Sequence, residues 1–350
     1  MLAQMARASG YLPIAVDCYA DADTQKLAVE TVRVASLALV DLQADVEALA
    51  QRHSFKWVVY GSGFEHVVES LEFLASRWRL LGNAADLFRG FQDKWNFFHR
   101  LAVLNISYPK TEFSPPAGNG WLQKPLRGEG GEGIVVFQPA SETGGDCYWQ
   151  RFVDGDVYSV TFVAAGGVIK VLGFNQQWCK SLDYQRSFIF SGVCNWAPIA
   201  RRQRRQLESW LNKIINIYPL CGLGSLDFII QGERCFVLEL NARVPASAQL
   251  YGKKAFDLHV QACLGLAVLS KTRLRTRPRG YQVVYADIDT LIDATMGWPD
   301  WVADRPSPGV IIGAGQPICS IIAGGKNARQ VRSRLLARRN YLETLLNTGS

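Results

Sequence analysis

Residues 224–243, GSLDFIIQGERCFVLELNAR, contain two apolar segments of strand character separated by a turn. Side chains two residues apart on a strand share a face. The polar residues of the second segment should therefore project to one side, and these are Glu239, Asn241 and Arg243. Its apolar residues should face a core on the other side, and these are Phe236, Leu238 and Leu240. The turn at residues 231–233 brings Asp227 alongside the polar face, which predicts a polar β-hairpin.

This polar face predicts a cation site. Carboxylate and amide oxygens are hard ligands of the kind that Mg²⁺ takes when it also holds substrate phosphates, so Asp227, Glu239 and Asn241 are candidate metal ligands. Arg243 beside them suits the phosphoryl charge that develops during a transfer reaction. A half-buried strand with a structural ion pair would show the same pattern, and the stretch alone leaves both interpretations open.

Residues 121–137, WLQKPLRGEGGEGIVVF, place a glycine-rich loop between two strand segments. The loop glycines are Gly128, Gly130, Gly131 and Gly133. Glycines let a backbone approach a polyanion and direct N–H groups toward it, and Lys124 adds a positive charge. The loop lacks the GK[ST] ending of a Walker A motif, and a strand follows it instead of the helix of a dinucleotide fingerprint. Tight hairpins also use glycine, but a flap over nucleotide phosphates fits better.

Taken in order, these segments resemble the ATP-grasp superfamily, whose members typically use ATP to join a carboxylate to an amine or another nucleophile. The resemblance covers about residues 10–330 and depends on the order and spacing of the motifs. Asp93-Lys94 followed by NISYPKT (105–111) resembles the start of the family's nucleotide-binding region. The resemblance implies that Lys94 and Lys124 contact nucleotide phosphates under the glycine flap. It also implies that Arg243 and Lys124 are the catalytic residues.

YWQRFVDG (148–155) resembles the hinge against which the family places adenine. The resemblance implies that main-chain groups of Arg151 and Val153 contact the base. The implied cofactor-binding residues of this hinge are Gln150, Arg151, Phe152 and Val153. On the hairpin, it implies that Asp227, Glu239 and Asn241 hold Mg²⁺ or Mn²⁺ beside ATP.

The chain departs from the family pattern at two positions of this region. Gln150 stands where the family usually has an acidic residue. Val157 stands where a carboxylate often holds the ribose hydroxyls, which leaves Asp154 or Asp156 as alternative ribose contacts.

The predicted fold class is a combination of α/β and α+β architecture, with an ATP-grasp fold. The expected domains are an N-terminal pre-ATP-grasp α/β domain with an open parallel sheet (1–85), an ATP-grasp nucleotide-binding domain (86–270) with a small lid (about 112–155), and a C-terminal β-rich cap with a terminal helix (271–350). The strand that should precede the first helix, MLAQMARASG, is absent, so we expect the N-terminal sheet to lack its first strand. Helical pattern extends over residues 22–50.

The segment 175–200 has an irregular, aromatic pattern and occupies the place where the family lines its acceptor site. Its candidate substrate contacts are Gln176, Tyr184 and Arg186, of which Arg186 is the natural partner for a carboxylate. A polar loop packed on a sheet would look much the same. Gly61 and Gly63 are further substrate-site candidates, because open parallel sheets bind ligands at the carboxyl ends of their strands. A tight strand-to-helix turn also explains both glycines.

Composition limits the class of protein. Apolar residues make up 48% and charged residues 20%, as in soluble globular proteins. No apolar run reaches the roughly 18 residues that a bilayer crossing needs, so we expect a cytoplasmic protein without a membrane partner. The net charge of +7 raises the possibility of a nucleic-acid partner. The densest basic segment, at 201–218, does not interleave aromatics with its arginines as a stacking platform would, which disfavours that partner. The eight cysteines contain no CxxC pair and are expected to be free thiols.

These observations together predict a Mg²⁺- and ATP-dependent carboxylate–amine ligase that works through an acyl phosphate on small-molecule substrates; a homodimer is compatible with this prediction. Residues 224–247 and 298–325 resemble ATP-grasp proteins of one-carbon coenzyme pathways, including ligases that add glutamate to tyramine or a pterin. That resemblance implies a role in coenzyme biosynthesis. One alternative is a carboxylating or ribonucleotide-type ATP-grasp ligase. The other is a non-catalytic ATP-binding or scaffold protein, which Gln150, Val157 and the missing strand favour.

Overall fold

The computed structural model describes residues 1–139, 145–183, 185–266, 269 and 276–348. The helices in this part of the chain are α1 (Leu2–Ala8), α2 (Ala22–Leu27), α3 (Leu39–Arg52), α4 (Val68–Arg77), α5 (Ala85–Gln92), α6 (Lys94–Val103), α7 (Arg201–Ile215), α8 (Lys253–Cys263) and α9 (Ala328–Thr348), with a 3-10 helix at Ala246–Tyr251. None of these helices has the length and apolar character that crossing a bilayer requires.

The strands of the described residues form several sheets. They are β1 (Ile14–Asp17), β2 (Glu30–Arg33), β3 (Trp57–Val59), β4 (Arg79–Leu81), β5 (Thr111–Glu112), β6 (Trp121–Pro125), β7 (Val135–Val136), β8 (Cys147–Arg151), β9 (Asp156–Ala165), β10 (Val168–Lys180), β11 (Ile189–Asn195), β12 (Gly222–Gln231), β13 (Arg234–Asn241), β14 (Arg279–Tyr285), β15 (Thr290–Leu291), β16 (Val302–Ala303), β17 (Ile311–Ile312) and β18 (Pro317–Gly324).

The N-terminal region contains the expected parallel pairing. Strand β1 pairs in parallel with β2, and β3 pairs in parallel with β4. Within the described residues these pairs are two separate two-stranded sheets, not one open sheet. The helical pattern over residues 22–50 is broken by β2, where the β-branched Thr31 and Val32 pair with β1. Their preference for a pleated surface and the available partner strand outweigh the local helical periodicity.

The largest sheet has eight strands in the order β13-β12-β9-β10-β11-β14-β18-β16, and every neighbouring pair is antiparallel. The irregular structure expected over 175–200 is wrong, because β10 continues to Lys180 and β11 covers Ile189–Asn195. The C-terminal strands β14, β18 and β16 extend this sheet, and α9 packs against β14 and β18. Residues 270–275, near the start of the predicted C-terminal cap, lie outside the described residues.

A smaller four-stranded antiparallel sheet, in the order β5-β8-β6-β7, covers the residues for which the sequence predicts a lid. Helix α7 packs its apolar face into the main core, with Leu207, Leu211 and Ile214 each no more than 1% exposed. That core also contains Leu226, Phe228 and Leu240 from β12 and β13. The hairpin predicted from the sequence is thus anchored from behind by the main core, and its polar face is directed away from it.

Candidate active site

The hairpin of β12 and β13 brings the three candidate metal ligands together. Asp227 lies directly opposite Glu239, and Ser225 lies opposite Asn241. The side-chain amide of Asn241 donates to the Asp227 carboxylate over 3.2 Å and to the Ser225 hydroxyl over 3.3 Å. Two carboxylates and an amide therefore share one face of the hairpin.

A β-bulge modifies the alternation that the sequence suggests. The register shifts after Asp227, so that Phe228 lies opposite Val237 and Leu238 is the additional residue on β13. As a result the residues of β13 in the main core are Cys235, Val237 and Leu240. The expectation that Phe236 and Leu238 face the same core as Leu240 is wrong, because one inserted residue reverses the faces beyond it.

Two lysines approach this face from different elements. Lys94 is the first residue of α6, which Asp93 caps by accepting the Asn96 N–H over 2.9 Å. The Lys94 Nζ lies 3.9 Å from Glu239 Oε2, and the lysine side chain is only 7% exposed. Lys124, on β6 of the lid, donates to Gln150 Oε1 over 3.2 Å. Its Nζ also lies 5.7 Å from the centre of the Tyr148 ring.

The charges of these groups influence one another. Burial lowers the pKa of Lys124 to about 8, and Lys94 acts in the same direction against the opposing carboxylates Glu239 and Asp227. Burial raises the pKa of Asp227 to about 7, with Glu239 adding to the effect. Both shifts favour the neutral form of the side chain, because burial removes water from the charged groups and like charges lie close together. A polyanion on the lysines and a divalent cation on the carboxylates would relieve both effects.

The donor set fits a cation that also binds phosphate oxygens. The described residues contain no group of three or more His, Cys, Asp and Glu side chains that could hold a metal ion. The hairpin offers two carboxylates and one amide oxygen, which is too few for a closed protein cage. Mg²⁺ commonly takes one or two carboxylates and completes its shell with water and substrate phosphates, and the residues present match that requirement.

The glycine-rich loop and the hinge flank the lysines. Phe190 donates its backbone N–H to Gly130 over 2.7 Å, so the loop rests on the start of β11. A side chain at Gly131 would collide with the Phe188 carbonyl, and its φ of +84° also favours glycine. Gly128 and Gly133 both pack on the Pro125 ring.

At the hinge after β8, two N–H groups are already engaged, because Arg151 donates to Lys110 over 2.8 Å and Phe152 donates to Gly120 over 3.0 Å. Among the described residues the Val153 N–H has no acceptor. Gln150 is 2% exposed and also donates to Thr111 Oγ1 over 3.1 Å.

The candidate substrate residues lie in different surroundings. Gln176 accepts from Arg332 of α9 over 3.4 Å. Arg186 forms an ion pair with Asp183 at 2.6 Å, and its guanidinium lies against Gly315. Tyr184 lies outside the described residues. Gly63 donates its N–H to Glu65 Oε2 over 2.7 Å, and Gly61 packs against Leu2 and the Val244 carbonyl.

Two site residues were missed by the sequence reasoning. The Gln177 side chain lies close enough to Asp227 to oppose the rise in the pKa of this carboxyl. It is the neighbour of the candidate Gln176, and alternation along β10 places the two on opposite faces. Recognising β10 as a strand would have pointed to Gln177. The second is Glu65, whose Oε1 accepts from Arg243 Nε over 2.6 Å. Glu65 and Arg243 are far apart in the chain, so no local sequence pattern could have predicted their contact.

Comparison with known proteins supports this description. Residues 91–247 match the family model of the ATP-grasp domain. No curated protein sequence matches the chain. Among solved structures, the β-γ-ATP complex of biotin carboxylase from Campylobacter jejuni is 14% identical, with a TM-score of 0.75 over 95% of this chain and 86% of that chain.

Two further structures show the same likeness. One is the biotin carboxylase domain of Hydrogenobacter thermophilus 2-oxoglutarate carboxylase with MgADP, ADP and bicarbonate, which is 13% identical, with a TM-score of 0.72 over 95% of this chain and 85% of that chain. The other is N5-carboxyaminoimidazole ribonucleotide synthetase from Thermotoga maritima, which is 14% identical, with a TM-score of 0.66 over 97% of this chain and 95% of that chain. At these identities the likeness establishes the fold.

Proposed function

Because the chain belongs to the ATP-grasp superfamily through residues 91–247, we propose that it is a Mg²⁺- and ATP-dependent ligase that joins a carboxylate to an amine. One observation carries the proposal. The two carboxylates and the amide of the β12–β13 hairpin lie beside the buried Lys94 and the partly buried Lys124, with Lys94 Nζ 3.9 Å from Glu239 Oε2. Such a pairing of hard oxygen ligands with positive charge suits a metal-bound triphosphate.

Nucleotide binding is assigned to the two lysines and the lid. Lys94, Lys124 and the backbone of the loop at 128–133 would hold the phosphates, with Gly128, Gly130, Gly131 and Gly133 allowing close approach. The free Val153 N–H and the Arg151 carbonyl would contact the adenine edge, with Gln150 and Phe152 beside it. Asp227, Glu239 and Asn241 would hold Mg²⁺ or Mn²⁺, which supplies charge neutralisation at the phosphate oxygens when bound.

The reaction proceeds in two steps. The substrate carboxylate attacks the γ-phosphorus, the bond to the β–γ bridging oxygen breaks, and ADP leaves. Arg243 and Lys124 stabilise the charge on the transferred group. The amine then attacks the acyl carbon of the acyl phosphate, and inorganic phosphate and a proton depart. Positioning and electrostatics supply most of the rate in such reactions.

The acceptor side is assigned to residues around the cleft, namely Gly61, Gly63, Gln176, Tyr184 and Arg186. Arg186 already pairs with Asp183, so a substrate carboxylate would have to share or replace that partner. We place the enzyme in the cytoplasm and in coenzyme biosynthesis on the resemblance to tyramine–glutamate and pterin–glutamate ligases. A homodimer is part of the same proposal.

A carboxylating ATP-grasp ligase is the second candidate. It is favoured by the similarity to carboxylase structures, one of which binds MgADP and bicarbonate. The two candidates differ in the phosphoryl acceptor, since bicarbonate would replace the organic carboxylate while the amine remains the second substrate.

A substrate screen tests the proposal. Amines are combined either with amino acids and other carboxylates or with bicarbonate, and ADP release is measured with MgCl₂ and with excess EDTA. We expect release that requires metal, a carboxylate and an amine together. Metal-dependent release with bicarbonate would support the second candidate. Tight ATP binding without turnover under every condition would refute both and indicate a non-catalytic ATP-binding protein.

A further inference from the structure

We propose that Glu65 is a positioning residue for phosphoryl transfer, which holds the Arg243 guanidinium in the orientation that the reaction needs. This inference rests on the proposed function. The Arg243 Nε donates to Glu65 Oε1 over 2.6 Å. The side chains are only 11% and 4% exposed, respectively. The two residues are 178 positions apart, so the contact joins the N-terminal region to the end of the β12–β13 hairpin.

Glu65 is itself held firmly. Its second carboxylate oxygen, Oε2, accepts the N–H of Gly63 over 2.7 Å. Gly63 has a φ of +102°, and an added Cβ would lie 2.6 Å from Leu37 Cδ1, so only glycine suits this turn. Both oxygens of Glu65 are therefore engaged, one by the turn after β3 and the other by Arg243. The carboxylate has little freedom to follow a guanidinium that moves.

The geometry leaves the reactive end of Arg243 available. Glu65 takes the Nε edge, and the terminal nitrogens of Arg243 donate no hydrogen bond to the described residues. Arg243 follows Asn241 by two residues and is also attracted by Glu239 and Glu129. Its free donors are thus presented next to the hairpin that carries the candidate metal ligands. Donors fixed before the reaction stabilise developing charge without reorganisation.

A purely structural role for this ion pair is the competing explanation. Buried ion pairs are often no more stabilising than apolar side chains of similar volume, because desolvation offsets the attraction. Fold stability alone therefore gives little reason for placing a buried carboxylate at this position. A positioning role predicts a different result. Loss of the Arg243 orientation should slow the transfer step while leaving nucleotide binding intact.

The kinetic test compares Glu65→Gln with the native protein. The amide keeps the shape of the side chain but loses the charge that fixes Arg243. We expect kcat for ADP release to fall by about a hundredfold, as misplacement of a catalytic group can cause. The KM for ATP should stay within about twofold, because the hydrogen-bond partners of Glu65 among the described residues are Gly63 and Arg243, and the proposal assigns Arg243 to the transfer step and not to nucleotide binding. Glu65→Asp should recover part of the rate, since it restores the charge at a shorter reach. Glu72→Gln, which removes a surface ion pair with Arg89, is the matched control and should behave like the native protein.

A double-mutant cycle separates orientation from a general loss of stability. If Glu65 acts through Arg243, Glu65→Gln should have little further effect on kcat in an Arg243→Lys background. Equal losses in both backgrounds, or a native kcat for Glu65→Gln alone, would overturn the proposal.

A second measurement is independent of turnover. In ¹H–¹⁵N NMR spectra of arginine side chains, the Arg243 Nε–H should be protected from exchange with water, and Arg243→Lys assigns the signal. We expect Glu65→Gln to abolish this protection and Glu65→Asp to retain part of it. An unprotected signal in the native protein would refute the positioning role. If the native protein releases no ADP while the signal is protected, the proposed ligase function is refuted. The ion pair between Glu65 and Arg243 is then confirmed all the same.

Discussion

Asn241 and Asp227 contact each other across the β12–β13 pair, with Asn241 Nδ2 donating to Asp227 Oδ2 over 3.2 Å. Because the nitrogen of this amide is occupied by Asp227 and Ser225, its oxygen is left as the acceptor that can turn to a cation. In the proposed metal site, it is therefore the oxygen of Asn241 that would face the cation. It also holds Asp227 next to Glu239, its direct neighbour in the register.

The first prediction concerns Glu239. Replacing Glu239 by Gln keeps the size of the side chain and removes one negative ligand. We expect ADP release to slow by at least about a hundredfold, because metal ions contribute several kcal/mol to such transfers. Glu233→Gln lies in the turn of the same hairpin and loses only a surface pair with Arg202, so it serves as the control. Unchanged ADP release in Glu239→Gln would show that the metal assignment is wrong.

The second prediction concerns Lys124. Burial disfavours its charge, so Lys124→Met should leave the midpoint of thermal unfolding unchanged or raise it slightly. Affinity for a fluorescent ADP analogue should fall by about tenfold or more, since one charge-assisted contact to phosphate is worth about 1.5–3 kcal/mol. Lys110→Met removes a more exposed lysine of the same region, paired with Glu112 at 2.9 Å, and should bind the analogue normally. Equal affinities for the two variants would contradict the assignment.

The third prediction concerns pH and His259, which is 1% exposed. Its Nδ1 accepts the Leu223 N–H over 2.9 Å, so Nε2 carries the proton that faces the Leu81 carbonyl at 3.0 Å. Burial lowers the pKa of His259 from 6.5 to about 4. A lowered pKa means that the unfolded chain binds the proton more readily. The neutral His259 therefore contributes fully to the stability of the folded state above pH 6.5, and this contribution is lost as the pH falls toward 4.

We expect the free energy of unfolding to decrease by about 3 kcal/mol from this group between pH 6.5 and 4, measured by urea denaturation. His259→Gln, which can keep both hydrogen bonds without titrating, should show a correspondingly smaller decrease. His53→Gln changes a half-buried histidine that pairs with Glu30 and should retain the native decrease caused by His259. Identical pH profiles for the native protein and His259→Gln would disprove the prediction.

The fourth prediction concerns thiol reactivity. All eight cysteines are free. A hydrogen bond from Cys263, opposed by burial and aided by Arg79, lowers the pKa of Cys221 below its usual range. Cys179 is more exposed, but burial of its thiol and the nearby Asp227 raise its pKa. Because the thiolate is the reactive form, iodoacetamide at pH 7 should modify Cys221 before Cys179.

Peptide mass spectrometry over time measures this order of modification. Cys263→Ala removes the hydrogen-bond donor and should slow the labelling of Cys221, whereas Cys263→Ser keeps a donor and should slow it less. Faster labelling of Cys179 would mean that exposure, not the hydrogen bond, controls reactivity in this chain.

Much of the arrangement of the candidate site could be predicted from local sequence. The hairpin at 224–243 contains its own turn and its own partner strand, so the proximity of Asp227, Glu239 and Asn241 follows from strand pairing alone. Lys94 and Lys124 were recognised from motifs whose spacing is local as well. The parallel pairing of β3 with β4 was also predictable, since a single helix separates the two strands.

Other features arise only where distant segments meet. The β-bulge after Asp227 lies where β12 pairs with both β9 and β13. No residue type in β13 predicts this bulge. Strand β2 forms because β1 offers it a partner, against a helical pattern. The contact of Glu65 with Arg243 joins residues 178 positions apart. Periodicity and turn chemistry act over a few residues, whereas such contacts depend on the packing of whole elements. That difference explains why the proximity of Asp227, Glu239 and Asn241 could be predicted from the sequence and the contact of Glu65 with Arg243 could not.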